Sequence, residues 1–145
     1  MKVEDFMERD VTAIFADETV EEFIHACVRQ FRNGLPVVDE EMHVIGIITE
    51  RDIIEEIVPS YMEMLHSTSF IPDTNITKKR LEDIKDKPIA EYMQEKPNVL
   101  KTSDTLLSAA TLVLKQGYRF LPVVDEEEHL AGIVTRSLIL EALLS

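Results

Sequence analysis

Leu35-Pro36-Val37-Val38-Asp39-Glu40-Glu41-Met42-His43-Val44-Ile45-Gly46-Ile47-Ile48-Thr49 is answered 86 residues later by Leu121-Pro122-Val123-Val124-Asp125-Glu126-Glu127-Glu128-His129-Leu130-Ala131-Gly132-Ile133-Val134-Thr135. Residues 2–57 overlay residues 88–143 without a gap, with 16 of 56 positions identical, and 11 of those fall within 35–49. A duplication this regular makes one architectural unit and its copy, with clefts between them where a ligand can sit. Differences between the copies then mark which cleft kept its chemistry.

Working outward, both copies predict the same elements. Leu35–Val38 and Val44–Ile48 are rich in β-branched residues and joined by the acidic turn Asp39–His43, which reads as a pair of strands. Upstream, Val20, Phe23, Ile24, Cys27, Val28 and Phe31 recur at helical spacing and make one apolar face. Thr19 with Glu22 forms a capping box at its start. In the copy Leu106, Ala109, Ala110 and Val113 make the face and Gly117 the stop. A second helix runs from Glu50, and from Arg136 in the copy. Each helical unit is preceded by a short extended piece, at 12–14 and 98–100. Before that comes an apolar lead-in: Val3, Phe6 and Met7, then Ile89, Tyr92 and Met93. The expected fold is α/β (α+β), two β-α-β-β-α repeats packed as a pseudo-two-fold pair, with repeat 1 over 1–57 and repeat 2 over 88–145. Pro36 and Pro122 cannot donate to a ladder, so each is expected at a strand start or on an edge.

Residues 58–87 have no counterpart. Tyr61, Met62, Met64 and Leu65 extend the preceding helical pattern, and Ile76, Leu81 and Ile84 predict a short helix opened by Thr77. So many apolar residues are expected to pack on something: their own module, a dimer mate or a ligand mouth.

At 145 residues, 45% hydrophobic and 30% charged, the chain is long enough for one sizeable core without staples. No apolar run approaches the ~20 residues of a membrane span, and Met1-Lys2-Val3-Glu4-Asp5 lacks a signal-peptide start. A lone Cys27 on the buried stripe suits a reducing compartment, so a cytoplasmic location is expected, with no membrane partner. A net charge of −13 with no dense basic run argues against nucleic acid. His43 and His129 lie in acidic turns and read as solvated, with no metal site. Asp39, Glu40 and Glu41 form a charged turn, and catalytic use would need them in a pocket. Nucleophile, Walker-type and CxxC patterns are missing, so no enzyme activity is expected.

The duplicated Pro-Val-Val-Asp turn and Gly-x-x-Thr strand end, with Met7 and Met93 in the lead-ins, resemble a tandem CBS-domain pair, the Bateman module named after cystathionine β-synthase. The resemblance implies a regulatory sensor that needs no cofactor. Its ligand is an adenosine compound (AMP, ADP, ATP, sometimes S-adenosylmethionine or a cyclic dinucleotide) held between the repeats. It also implies a homodimer built as a four-repeat disc, and an effector protein that reads the change of shape.

The family's ribose-and-phosphate signature is Gly-h-h-Thr/Ser-x-x-Asp. The first copy is complete, Gly46-Ile47-Ile48-Thr49-Glu50-Arg51-Asp52; the second reads Gly132-Ile133-Val134-Thr135-Arg136-Ser137-Leu138, with leucine in place of the acid. A carboxylate in the first helical turn can accept from both ribose hydroxyls. The same Thr-x-x-Asp spacing also builds an N-cap with no ligand at all; the two roles can coexist at Thr49 but compete at Asp52. Carried over, the resemblance gives Asp52 a cleft shared with Ile47, Thr49 and Arg51 from its own copy. The opposite copy adds Asn98, Val99, Leu100, Lys101, Tyr118, Arg119 and Phe120, with Arg119 directed at phosphate. The weaker cleft is expected to comprise Thr12, Ala13, Ile14, Arg32, Asn33, Gly34, Ile133 and Thr135. A sensor of adenine nucleotides is the leading expectation; the alternative is a ligand-free dimerisation scaffold.

Overall fold

The computed structural model describes residues 1–58 and 74–145, and both copies of the motif fold as antiparallel hairpins. In chain order the elements are β1 (Ile14–Phe15), α1 (Val20–Gln30), β2 (Gly34–Val38), β3 (Val44–Thr49), α2 (Glu50–Ile57), α3 (Thr74–Ile84), β4 (Gln94–Glu95), β5 (Leu100–Lys101), α4 (Leu106–Gln116), β6 (Phe120–Val124), β7 (Leu130–Thr135) and α5 (Arg136–Leu143). The result is a mixed α/β fold with two small sheets among the described residues, ordered β1-β2-β3-β4 and β5-β6-β7. Within each copy the first strand runs parallel to the second, and the second antiparallel to the third, so β-α-β-β-α is repeated. Pro36 sits mid-strand in β2, yet β1 reaches only Val37 and Val38, so the proline's free side is locally an edge.

Helix ends follow the sequence closely. Thr19 and Thr105 accept the amides of Glu22 and Ser108, capping α1 and α4. The α1 C-cap is Phe31, held at φ 52° in the left-handed region and almost fully exposed; Gly117 takes the same role in the copy at φ 68°, where no side chain is strained. Cys27 is buried on α1, and burial, with the Glu50 charge behind it, pushes its thiol up to about 11, which leaves it a core residue.

Two apolar clusters form the core, and their membership crosses the repeat. Val3 and Met7 pack with Leu100, Leu121, Val123 and Val134, whereas Ile89 joins Ile14, Phe23, Leu35, Val37 and Ile48, with Tyr92 and Met93 beside it. Each lead-in is therefore donated to the other copy. Backbone bonds enforce the exchange: Val3 N donates to Asp104 O (2.7 Å), Glu8 and Ile133 exchange both bonds at 2.9 Å, and Gln94 pairs with Ile47. Gly46 and Gly132 make room for it, because a Cβ on Gly132 would lie 2.5 Å from Glu8 O and one on Gly46 2.9 Å from Gln94 O. A smaller cluster of Ile47, Phe120 and Ile133 closes the seam between copies.

The described part of helix α3 runs Thr74–Ile84, so the expected opening at Thr77 lies inside it. Leu81 and Ile84 pack on the first core, and Lys85 and Lys87 carbonyls accept the amides of Glu21 and Val20 at the α1 entrance. Of the three surfaces expected for the insertion, its described part takes its own module. Tyr61, Met62, Met64 and Leu65 lie outside the described residues. Among the described residues no helix is long and apolar enough to cross a membrane.

Candidate functional site

The site grows from the entrance of α2. Thr49 is the N-cap in extended conformation, and its Oγ1 accepts the Asp52 amide at 3.4 Å. Asp52 folds one oxygen back: Oδ2 accepts the Thr49 amide at 2.8 Å and the Thr49 hydroxyl at 3.0 Å. That is the reciprocal capping box. Oδ1 is turned the other way, towards a cleft of about 610 Å³, where its partner is Gln94 Nε2 at 3.1 Å. The same amide stands 3.3 Å from Oδ2. Capping and an outward-facing oxygen thus coexist in one carboxylate, because its two oxygens divide the work.

Ile47, Thr49, Asp52, Gln94, Tyr118 and Arg119 line this cleft, so both copies contribute. Its volume lies within the ~300–1,000 Å³ usual for small-molecule sites. Arg119 is exposed and has no hydrogen bond or ion pair among the described residues. Arg51 also lines the cleft but bonds Glu55 at 2.7 Å, and Phe120 closes the floor, buried in the seam. Asn98 stands at the margin, donating to the Tyr118 hydroxyl at 3.4 Å.

Val99, Leu100 and Lys101 do not line the cleft. β5 pairs parallel behind β6, which turns Leu100 into the core, and the Lys101 amide closes a turn on Asp104 at 2.8 Å. The same geometry takes Ile14 into the first core and leaves Thr12, Ala13 and Gly34 off the wall of the second cleft; Arg32, Asn33, Ile133 and Thr135 do line it. Gly34 acts indirectly: a Cβ there would sit 2.8 Å from the Phe120 ring, so its bareness seats that ring.

Sequence reading missed Gln94, because the exchange of lead-ins that brings it to Asp52 leaves no periodicity. The two close-approach glycines were the available signal. It also missed Arg136, whose Nε and Nη2 donate to the carbonyls of Tyr118 and Gly117, both at 3.0 Å, fixing the loop that carries Arg119. In the second copy Leu138 donates its amide to Thr135 Oγ1 and offers no acceptor, and Glu8 replaces Gln94 and pairs with Arg32.

The histidines are not independently solvated as expected. His43 and His129 stack across the seam with ring centroids 4.8 Å apart and planes 13° from parallel. Each Nδ1 faces its own acidic turn, His43 at 3.0 Å from Asp39 and His129 at 3.5 Å from Glu127. Asp39, Glu41 and His43 bring donor atoms within 4.8 Å of one another. Asp39 Oδ1 already accepts the Glu41 and His43 amides, so the carboxylate closes the turn.

The CBS domain family model matches residues 3–59 and 89–145. The chain belongs to the CBS-domain family. As a CBS pair it is similar over nearly its whole length to the uncharacterized protein MJ1426 of Methanocaldococcus jannaschii, at 30% identity covering 99% of this chain and 92% of that one. It is also similar to the chloroplastic CBS domain-containing protein CBSX2 of Arabidopsis thaliana, at 28% identity over 98% of this chain; there the CBS pair spans only 63% of the relative. The crystal structure of CBSX2 superposes with a TM-score of 0.80, covering 99% and 94% of the two chains at 28% identity. That of CBSX2 in complex with AMP gives 0.76 over 99% and 96%, at 27% identity.

Proposed function

We propose that this CBS pair is a regulatory sensor that binds an adenosine ligand in the Asp52 cleft and signals by a change in the relation of its repeats. The observation that carries the reading is the outward Oδ1 of Asp52, at a helix entrance and opposite Tyr118 and Arg119 of the other copy. A ribose offers two hydroxyl donors to that carboxylate, while Arg119 suits a phosphate. The complex of CBSX2 with AMP supports the ligand class.

Gln94 gives the sensor its coupling. Its amide occupies the oxygen that a ribose would take, and β4 ties it to β3 beside Gly46. A bound sugar displaces that amide and loosens a strand donated by the other copy. The response is bounded by the ligand's differential affinity for the two arrangements. In this reading an effector protein of the cytoplasm recognises the outcome.

The test is a thermal-shift screen with AMP, ADP, ATP, S-adenosylmethionine and cyclic dinucleotides. At a hundred times its dissociation constant the right ligand adds ~2.7 kcal/mol, or about 5–10 °C in melting midpoint. A flat response to every compound contradicts the sensor and favours the ligand-free scaffold, for which the fully satisfied Asp52 capping box speaks.

A homodimer completes the proposal. Leu107 and Leu114 on α4 and Leu140 and Leu143 on α5 are all more than 60% exposed, an apolar surface that a second copy covers. Light scattering should therefore return twice the chain mass of 16.6 kDa, and the single-chain mass would refute the dimer.

A further inference from the structure

The second cleft, about 480 Å³, opens at the entrance of α5, walled by Arg32, Asn33, Glu50, Arg119, Arg136 and Ser137. Three guanidiniums face a single carboxylate on that wall, against the grain of a chain with net charge −13. Arg32 gives one edge to Glu8, which lies outside the wall, and Arg136 gives two N–H groups to the Gly117 and Tyr118 carbonyls. Each fork carries five donors, so both keep some over, in planes already set by those bonds. Arg119 has no partner among the described residues and lines both clefts.

The helix entrance differs as well. α2 carries Glu50 and Asp52 in its first turn, whereas the first turn of α5 carries no acid, so its positive end is uncompensated. Leu138 gives a sugar nothing to donate to. A cavity rich in donors, poor in acceptors and built from guanidinium forks rejects a ribose and suits a multiply charged oxyanion.

We propose that the second cleft is a phosphate site with no ribose seat. The phosphate has two sources: the terminal phosphates of a nucleotide whose sugar lies at Asp52, passed across by Arg119, or a separate polyphosphate. The first source rests on the adenosine reading above; the anion site itself does not.

Ser137→Glu separates the cases. Ser137 is exposed, lines only the second cleft, and sits in the first turn of α5, where an acid suits the helix end, so the fold is retained. Calorimetric titration of inorganic tripolyphosphate should show binding to the wild type. Ser137→Glu should weaken it about tenfold or more, through like charge in the cavity, while Asp52→Asn shifts it less than about twofold. If the nucleotide tail is the source, Ser137→Glu also weakens ATP about tenfold while sparing adenosine, and saturating ATP blocks tripolyphosphate. If the anion binds separately, ATP affinity is unchanged and the two ligands bind together. No tripolyphosphate binding by the wild type, or binding that Ser137→Glu leaves unaltered, overturns the proposal. Tripolyphosphate binding that Ser137→Glu weakens, with no binding of adenosine or AMP, instead overturns the nucleoside reading and leaves the anion site standing.

Discussion

Asp52→Asn should weaken binding of AMP or its relatives about a hundredfold, the loss of roughly 3 kcal/mol expected when two hydrogen bonds to a charged acceptor become bonds to a neutral one. Leu138→Ala, at the matching position of the other copy, should change the same affinity less than about twofold, since an aliphatic side chain there makes no polar contact to lose. The asparagine is chosen for the fold's sake: its carbonyl still accepts the Thr49 amide, as Asp52 Oδ2 does at 2.8 Å. The capping loss then stays below the ~1 kcal/mol typical of removing a cap altogether. Calorimetric titration of both variants reads the contrast. Equal losses in the two, or a loss confined to Leu138→Ala, would move the binding site to the other cleft.

Gly132→Ala carries the largest expected effect on stability. Its Cβ would stand 2.5 Å from the Glu8 carbonyl and 3.1 Å from Met7 Sδ, so the lead-in must retreat from β7 and give up its bonds to Ile133. A displacement of this kind costs about 2–3 kcal/mol, which for a chain of this size lowers the melting midpoint by roughly 5–10 °C. Gly117→Ala is the comparison: no atom lies within 4 Å of its Cβ, and only the left-handed backbone at φ 68° resists, a cost of about 1 kcal/mol. Differential scanning calorimetry should rank the two in that order. An unchanged midpoint for Gly132→Ala would mean that the lead-in is not clamped against β7.

The duplicated hairpins, the threonine caps and the amphipathic helices were legible because each is written in local spacing. Val20, Phe23 and Cys27 do line one buried face, although Val28 and Phe31, expected on it, are exposed, and Thr49 and Thr135 do cap the helices that follow the hairpins. The exchange of lead-ins was not legible. Val3 and Met7 would complete either core equally well, and only the third dimension decides that they join Leu121 and Val134. Gln94 and Glu8 were hidden for the same reason, and with them the contrast that ties Asp52 to an amide in one cleft and Arg32, on the wall of the other, to a carboxylate outside it.

The candidate site divides along the same line. Thr49, Asp52, Tyr118 and Arg119 follow from the resemblance to a CBS pair, and the structure brings them to one cleft. The expected wall of Val99, Leu100 and Lys101 lies behind β6, because parallel pairing with Val123 and Val124 turns Leu100 inward. His43 and His129 could be seen as a repeated pair, but not as a stacked one, since stacking depends on how the two acidic turns meet at the seam.

A crystal structure of the protein grown with saturating AMP tests the central claim most directly. It should show the ribose hydroxyls within ~3 Å of Asp52 Oδ1, with Gln94 swung away from its present 3.1 Å contact. A nucleotide seated elsewhere, or an empty cleft with Gln94 still bonded to Asp52, would contradict it.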